Sequence, residues 1–254
     1  MPVFEFNFEP VFPEQSVKTV LEQFVTKVDE MDSTVLVPSR LMDMSTEDIS
    51  KTGEFPTKDI DLRAAYSTLK ILSSELKEGY YHLNSEDLLG LNNLQENIRH
   101  FLIQIMQLTF CAKTLKERYQ YVINNAGHDS VLELNQFKKQ IGGTGHTSLI
   151  EALRNFVEEV ADMEREILFP VLLEGISLAE TRDFTSVIDM TEAKTGYDLF
   201  LRIKAIKKQL LCGLDKQQLN PFCTLMKSIF HGVQDCTSLA NLITERYQQE
   251  IQGF

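Results

Sequence analysis

The side chains that could do chemistry are scattered along this chain. It has five histidines and four cysteines, and no two of the cysteines form a C-x-x-C pair. Glu96 and His100 lie one helical turn apart, as do Glu78 and His82. Neither pair is the Glu-x-x-His of di-iron bundles, and no second set completes a cage. The sequence therefore predicts no metal site.

Other catalytic patterns are also missing from the sequence. Residues 142–146 (GGTGH) superficially resemble a phosphate-binding loop, but they lack the Lys-Ser/Thr of a P-loop and the G-x-G-x-x-G pattern. No predicted strand precedes them, so a flexible linker is the better interpretation. No Ser-His-Asp set stands at a recognisable spacing. We therefore predict a protein that is not an enzyme and that uses no cofactor.

The charge of the chain limits the classes of partner. The formal net charge is −12 and the isoelectric point is near 4.9. Such a surface repels nucleic acid and anionic membranes, so neither is an expected partner. The negative charge is interpreted as keeping the protein soluble. The alternative is that it binds a basic patch on a protein partner. The absence of a long apolar run or a basic leader predicts no membrane span and a cytoplasmic location, with the nucleus as a second location.

An internal repeat organises the chain. Residues 16–41 and 148–173 share nine identities in 26 positions at an offset of 132. Two further blocks recur in the same order, at offsets of 134 and 128. Chance similarity between amphipathic helices could explain one block, but three blocks in order predict a tandem duplication.

Apolar residues in these blocks step alternately by four and three residues. The seams predicted in the two first helices are Val17, Leu21, Phe24, Val28, Met31 and Val35, and Leu149, Leu153, Phe156, Val160, Met163 and Ile167. The seams predicted in the two last helices are Leu94, Ile98, Phe101, Ile105, Leu108, Ala112, Leu115, Tyr119 and Val122, and Phe222, Met226, Ile229, Val233, Cys236, Ala240, Ile243 and Tyr247. This spacing predicts an all-α bundle of two three-helix repeats with coiled-coil-like packing and pseudo-twofold symmetry. Gly79 and Gly213 are expected to end helices, and Pro38 and Pro170 to end or kink the first helix of each repeat.

The predicted organisation is an N-terminal arm (1–15), a first repeat (16–123), a linker (124–147) and a second repeat (148–254). Both repeats are expected in one compact bundle, so the chain should be a monomeric pseudo-dimer. The arm alternates phenylalanines with polar residues. It is interpreted as a cover for apolar bundle surface, and the alternative is a segment that inserts into a partner.

Three segments resemble the Spot 14 and midline-interacting family. Residues 31–43 (MDSTVLVPSRLMD) resemble the motif that closes the family's first helix. Residues 66–70 (YSTLK) look like its Y-x-x-L-K, and residues 245–251 (ERYQQEI) look like its closing N-R-Y-K-Q-E-I. Family members carry one copy of the unit and pair into dimers, whereas this chain carries two. The second copy has Phe-Pro-Val in place of Val-Pro-Ser, and the acidic insert of family members is missing.

The resemblance implies a non-enzymatic regulator of lipogenesis. Family members stimulate fatty-acid synthesis, and the midline-interacting member promotes polymerisation of acetyl-CoA carboxylase and associates with microtubule-linked proteins. Acetyl-CoA carboxylase or another lipogenic enzyme is therefore the expected partner, with family members or microtubule-linked proteins as further partners. The alternatives are a microtubule-associated adaptor and a carrier of an apolar small molecule.

Eight residues are candidates for protein interaction, in two of the matching segments and at the aligned end of the first repeat's last helix. They are Val37, Pro38, Ser39, Arg40, Arg118, Tyr119, Arg246 and Tyr247. The alternative is structural, because Pro38 can simply stop a helix and both tyrosines lie on the predicted seams.

Overall fold

The computed structural model describes residues 16–44, 61–79, 91–124, 147–176, 193–213 and 221–252. The α-helices in these ranges are α1 (Val17–Thr34), α2 (Leu62–Glu78), α3 (Asn92–Asn124), α4 (Leu149–Glu166), α5 (Gly196–Cys212) and α6 (Pro221–Gln252). Two 3-10 helices, Pro38–Asp43 and Pro170–Gly175, follow α1 and α4. The predicted all-α fold is confirmed. The predicted arm and almost all of the predicted linker lie outside the described residues.

The helix ends follow the local sequence. The hydroxyls of Ser16 and Ser148 each accept a hydrogen bond from the backbone N–H three residues later, which caps α1 and α4 in the same way. α2 and α5 end at Gly79 and Gly213, as predicted. These glycines have φ values of 104° and 87°, a region that other residues rarely adopt.

The two halves of the chain are packed into each other. α1 lies along α6, and α3 lies along α4, so each long helix packs against the first helix of the other half. α3 and α6 also cross near their N-termini, where Leu94 lies against Gly232 and Phe101 against Phe222. These pairings make α3 and α6 antiparallel. Contacts in one half have counterparts in the other, while a common origin of the halves stays an interpretation of the sequence.

The predicted seams form the core, with one exception. The predicted positions on α1, α4 and α6 are all buried, as are those on α3 as far as Tyr119. Val122 was predicted to continue the seam, but it is exposed. The reason is that α4, which runs beside α3, ends at Glu166, so the last turn of α3 has no helix alongside it.

Candidate functional site

Most of the exposed large apolar side chains in the described ranges lie at two places, where α1 and α4 give way to the 3-10 helices. We define the first end surface as Leu36, Val37, Met42 and Ile251. We define the second end surface as Leu168, Phe169, Val171, Leu172, Val122 and Ile123. Both surfaces combine a helix connection from one half with the last turn or turns of the long helix of the other half.

Each surface is held in place by buried side chains on both sides of it. Val35 and Leu41 are buried on either side of the exposed Leu36 and Val37. In the second half, Ile167 and Leu173 are buried in the same way around the exposed residues of the second end surface. Because the chain is anchored before and after each surface, the apolar side chains are fixed in an exposed position.

Two buried tyrosines hold these connections. The hydroxyl of Tyr247 accepts a hydrogen bond of 2.9 Å from the backbone N–H of Val37. The hydroxyl of Tyr119 accepts one of 3.0 Å from the backbone N–H of Phe169. Each N–H precedes a proline that starts a 3-10 helix, and each would otherwise lack a protein partner there. A tyrosine from one half therefore fixes the end surface carried by the other half.

The eight candidate residues fall at two separate places. The exposed Val37 is part of the first end surface, and Ser39 and Arg40 are exposed beside it, with Pro38 half-buried between them. The buried Tyr247 bonds this segment, and the half-buried Arg246 precedes it in the sequence. Arg118 is half-buried and Tyr119 is buried, and both belong to the second end surface's side of the bundle. α3 and α6 run about 30 Å beyond their crossing to reach these two places, at 1.5 Å per residue. The candidates thus divide between opposite ends of the bundle.

The apolar residues of the second end surface were missing from the candidates. Their signal in the sequence is the run at residues 167–173 (ILFPVLL), which has more apolar residues than one buried face can use. Three apolar residues of the second surface replace polar residues at the aligned positions of the first half and of α6. Val171, Leu172 and Val122 correspond to Ser39, Arg40 and Glu250. The second surface is therefore the more apolar of the two.

Carboxylates flank the second end surface along the chain. Glu166 precedes it and Glu174 follows it, and both are exposed. The residues aligned with these two glutamates in the first half are Thr34 and Met42, and neither carries a charge. Glu166 lies 3.5 Å from the ammonium group of Lys116, which also pairs with Glu159 at 2.9 Å. The ion pair with Glu159 is the main cause that raises the pKa of Lys116 above its ordinary value.

The segment at residues 66–70 has a structural role. The Lys70 ammonium lies 2.6 Å from a carboxylate oxygen of Asp32 and packs over the ring of Tyr66, whose hydroxyl donates to the same oxygen. The hydrogen bonds from Lys70 and Tyr66 hold the pKa of Asp32 below its ordinary value. Lys204 and Glu164 form the equivalent pair at 3.4 Å in the second half. These contacts attach the second helix of each half to the first.

The described residues contain no group of three or more His, Cys, Asp or Glu side chains that could hold a metal. Their cysteines are free thiols, with Cys111, Cys223 and Cys236 buried and Cys212 exposed. Burial raises the pKa of Cys236 to about 12 and that of Cys111 further still, so both thiols stay protonated.

A small pocket lies where α1 and α4 approach each other. Its volume is about 140 Å³, and it is lined by Lys18, Leu21, Glu22, Ile150, Leu153 and Arg154. This is below the roughly 300 Å³ at the lower limit of sites for drug-sized ligands. No helix in the described ranges combines the length and hydropathy that a membrane crossing requires.

Comparison with known proteins gives a family. The family model described as thyroid hormone-inducible hepatic protein Spot 14 matches residues 7–100 and 139–225, which together are well over half of the chain. Comparisons with curated proteins and with solved structures gave no match. The chain therefore belongs to the Spot 14 family, a family of regulators linked to lipogenesis.

Proposed function

We propose that this protein is a non-enzymatic regulator that binds a lipid-synthesis enzyme, first of all acetyl-CoA carboxylase, and biases its assembly or activity. Membership of the Spot 14 family supports the link to lipogenesis. The observation that carries the proposal is the pair of exposed apolar surfaces at opposite ends of one bundle. We expect the activity in the cytoplasm, with the nucleus as a second location.

Two surfaces on one rigid body suit the control of assembly. A bundle that holds one enzyme protomer at each end brings the two protomers to a high effective concentration. To shift an assembly equilibrium, the protein must bind one state more tightly than the other. A preference of about 1.4 kcal/mol shifts that equilibrium about tenfold, and no bond needs to be made or broken.

The buried tyrosines support this role energetically. Because Tyr119 and Tyr247 fix the backbone of the end surfaces, the apolar side chains are positioned before a partner arrives. A surface that is already ordered loses less conformational entropy on binding, so more of its burial contributes to affinity.

The direct test is the sedimentation and activity of purified acetyl-CoA carboxylase over a titration of this protein. We expect faster sedimentation and changed activity at low ratios, followed by a reversal at large excess, when every protomer carries its own bundle. The variant Phe169→Ser should weaken the effect. The matched control is Leu201→Ser, which removes an exposed leucine of α5 outside both end surfaces. No change in the carboxylase at any ratio would refute the proposal.

An adaptor that joins two different proteins is the second candidate. It is favoured by the different chemistry of the two end surfaces, one mixed and one almost wholly apolar. Partners linked to microtubules are expected on this reading, whereas direct binding to the acidic microtubule surface is disfavoured by the net charge of −12. Co-sedimentation with microtubules in cell extract, but not with purified tubulin polymer, would support the adaptor. The carrier hypothesis would require a co-purified apolar ligand in native mass spectrometry.

A further inference from the structure

The second end surface exposes an unusual amount of apolar area. Four of its residues, at positions 168, 169, 171 and 172, are between 44% and 72% exposed, and they lie within five consecutive positions. Val122 and Ile123 add to them from one turn beyond Tyr119, the residue that holds Phe169 in place. Clustered exposed apolar side chains often mark a binding site, so these six residues are a candidate docking surface.

We propose that the second end surface binds an amphipathic segment of a protein partner, with large apolar side chains at its centre and Lys or Arg on its flanks. The apolar part of the proposal follows from the exposed residues. The basic part follows from the exposed Glu174 on one side of the surface and from the net charge of −12; Glu166 on the other side already shares its carboxylate with Lys116 and Gln120. The inference deepens the proposed function, because it names the chemistry of the contact through which that regulation acts.

The same carboxylates argue against two other occupants. A second copy of this chain, docked symmetrically, would bring Glu166 and Glu174 close to their own counterparts, and like charges repel. The N-terminal segment 1–15 is rich in phenylalanine, but it carries three glutamates and no Lys or Arg. If it docked there, its glutamates would face Glu174. Two of the nearby cations are paired, Arg165 with Asp162 and Lys116 with Glu159 and Glu166, while Arg118 lies half-buried one helical turn before Val122.

The first end surface provides an internal comparison within the same chain. At the positions of Val171 and Leu172 it has Ser39 and Arg40, and at the positions of Glu166 and Glu174 it has Thr34 and Met42, while its own neighbouring carboxylates, Asp43 and Glu250, stand at other positions. The surrounding backbone is nonetheless the same, with a tyrosine-held connection followed by a 3-10 helix. A basic partner segment is therefore expected to select the second surface over the first.

The test uses the full chain and a synthetic probe. The probe is a fluorescein-labelled peptide of about 14 residues, with leucines on one helical face and lysines elsewhere. Binding is measured by fluorescence anisotropy at about 0.15 M salt, where the Debye length of about 8 Å screens general attraction to an acidic protein. Two control peptides accompany the probe. A scrambled peptide of the same composition tests for binding that depends on composition alone, and a peptide with glutamate in place of lysine tests the contribution of the positive charge.

The variants follow from the comparison of the two halves. Val171→Ser combined with Leu172→Arg gives the second surface the residues found at the aligned positions of the first half. This double variant is expected to bind the probe at least about tenfold more weakly. Glu174→Lys is expected to weaken it several-fold. Leu36→Ser in the first surface and Glu245→Lys on exposed α6 surface are the matched controls, and both should bind as the unchanged chain does. Circular dichroism and thermal unfolding of each variant confirm the fold.

Several outcomes would overturn the proposal. They are equal binding of the scrambled peptide, unchanged binding by the double variant, and equal weakening by Glu245→Lys. A dimer of the unchanged chain that the double variant dissociates would identify a second copy as the occupant. Tighter binding after serine replaces the phenylalanines of segment 1–15 would identify that segment instead. The probe assay contains no carboxylase, so it tests the surface separately from the proposed function. If the probe binds as expected but the carboxylase does not respond to the protein, only the proposed function is refuted.

Discussion

The hydrogen bond from Phe169 to Tyr119 predicts a measurable loss of stability in the variant Tyr119→Phe. The substitution removes only the hydroxyl and keeps the ring, which is buried. It leaves the N–H of Phe169 without its 3.0 Å acceptor, and Pro170 prevents the chain from continuing as an α-helix that could supply another. Losing the partner of a buried polar group costs about 1–3 kcal/mol.

Because this N–H is only partly buried, we expect the lower half of that range, about 1–2 kcal/mol. For a chain of this size each kcal/mol corresponds to roughly 2–4 °C in the melting temperature, so the expected fall is about 2–8 °C. The assay is urea unfolding followed by circular dichroism, with amide hydrogen exchange at Phe169. Exchange there should accelerate, while exchange at Val37 should not change.

Tyr247→Phe should lose a similar amount, with faster exchange at Val37. The two bonds lie at opposite ends of the bundle, so the losses in the double variant should add. Tyr197→Phe is the control, because it removes the hydroxyl of a half-buried tyrosine on α5 that accepts from neither of these two N–H groups. If Tyr119→Phe unfolds like Tyr197→Phe and leaves exchange at Phe169 unchanged, the tyrosines do not fix the end surfaces.

Three further predictions concern the core and the assembly state. Burial raises the pKa of Glu75, so the folded state binds its proton more readily and stability falls as pH rises from the ordinary carboxyl pKa through the raised one. Glu75→Gln should remove this loss and raise the free energy of unfolding at neutral pH, with little change at low pH, measured by unfolding at several pH values. Gly196→Ala should destabilise by about 1–3 kcal/mol in the same assay, because a Cβ there would lie 3.0 Å from the backbone oxygen of Leu173 and 3.1 Å from Leu115. Light scattering at micromolar concentration should give a monomer, and a tight symmetric dimer would contradict the self-contained bundle.

The sequence predicted correctly which helix positions are buried wherever a helix is packed along its whole length. Alternating spacings of four and three residues identified the buried positions of α1, α4 and α6, because a helix packed along its whole length buries a constant stripe. The same rule failed at Val122. Whether a seam position is buried depends on how far the neighbouring helix extends, and that length is a property of the other half of the chain. The end surfaces were hidden from the sequence for this reason.

The tyrosine bonds also bear on how one bundle can present two end surfaces of different chemistry. Each surface is held by a tyrosine from the opposite half, so neither half can present its surface alone. In a symmetric homodimer of a single-copy unit, the two surfaces would have to be identical, because one sequence encodes both. A single chain that supplies both halves removes this constraint. Ser39 and Arg40 can therefore stand at one end while Val171 and Leu172 stand at the other, and the bundle can hold two different partners, or two different faces of one, at a fixed separation.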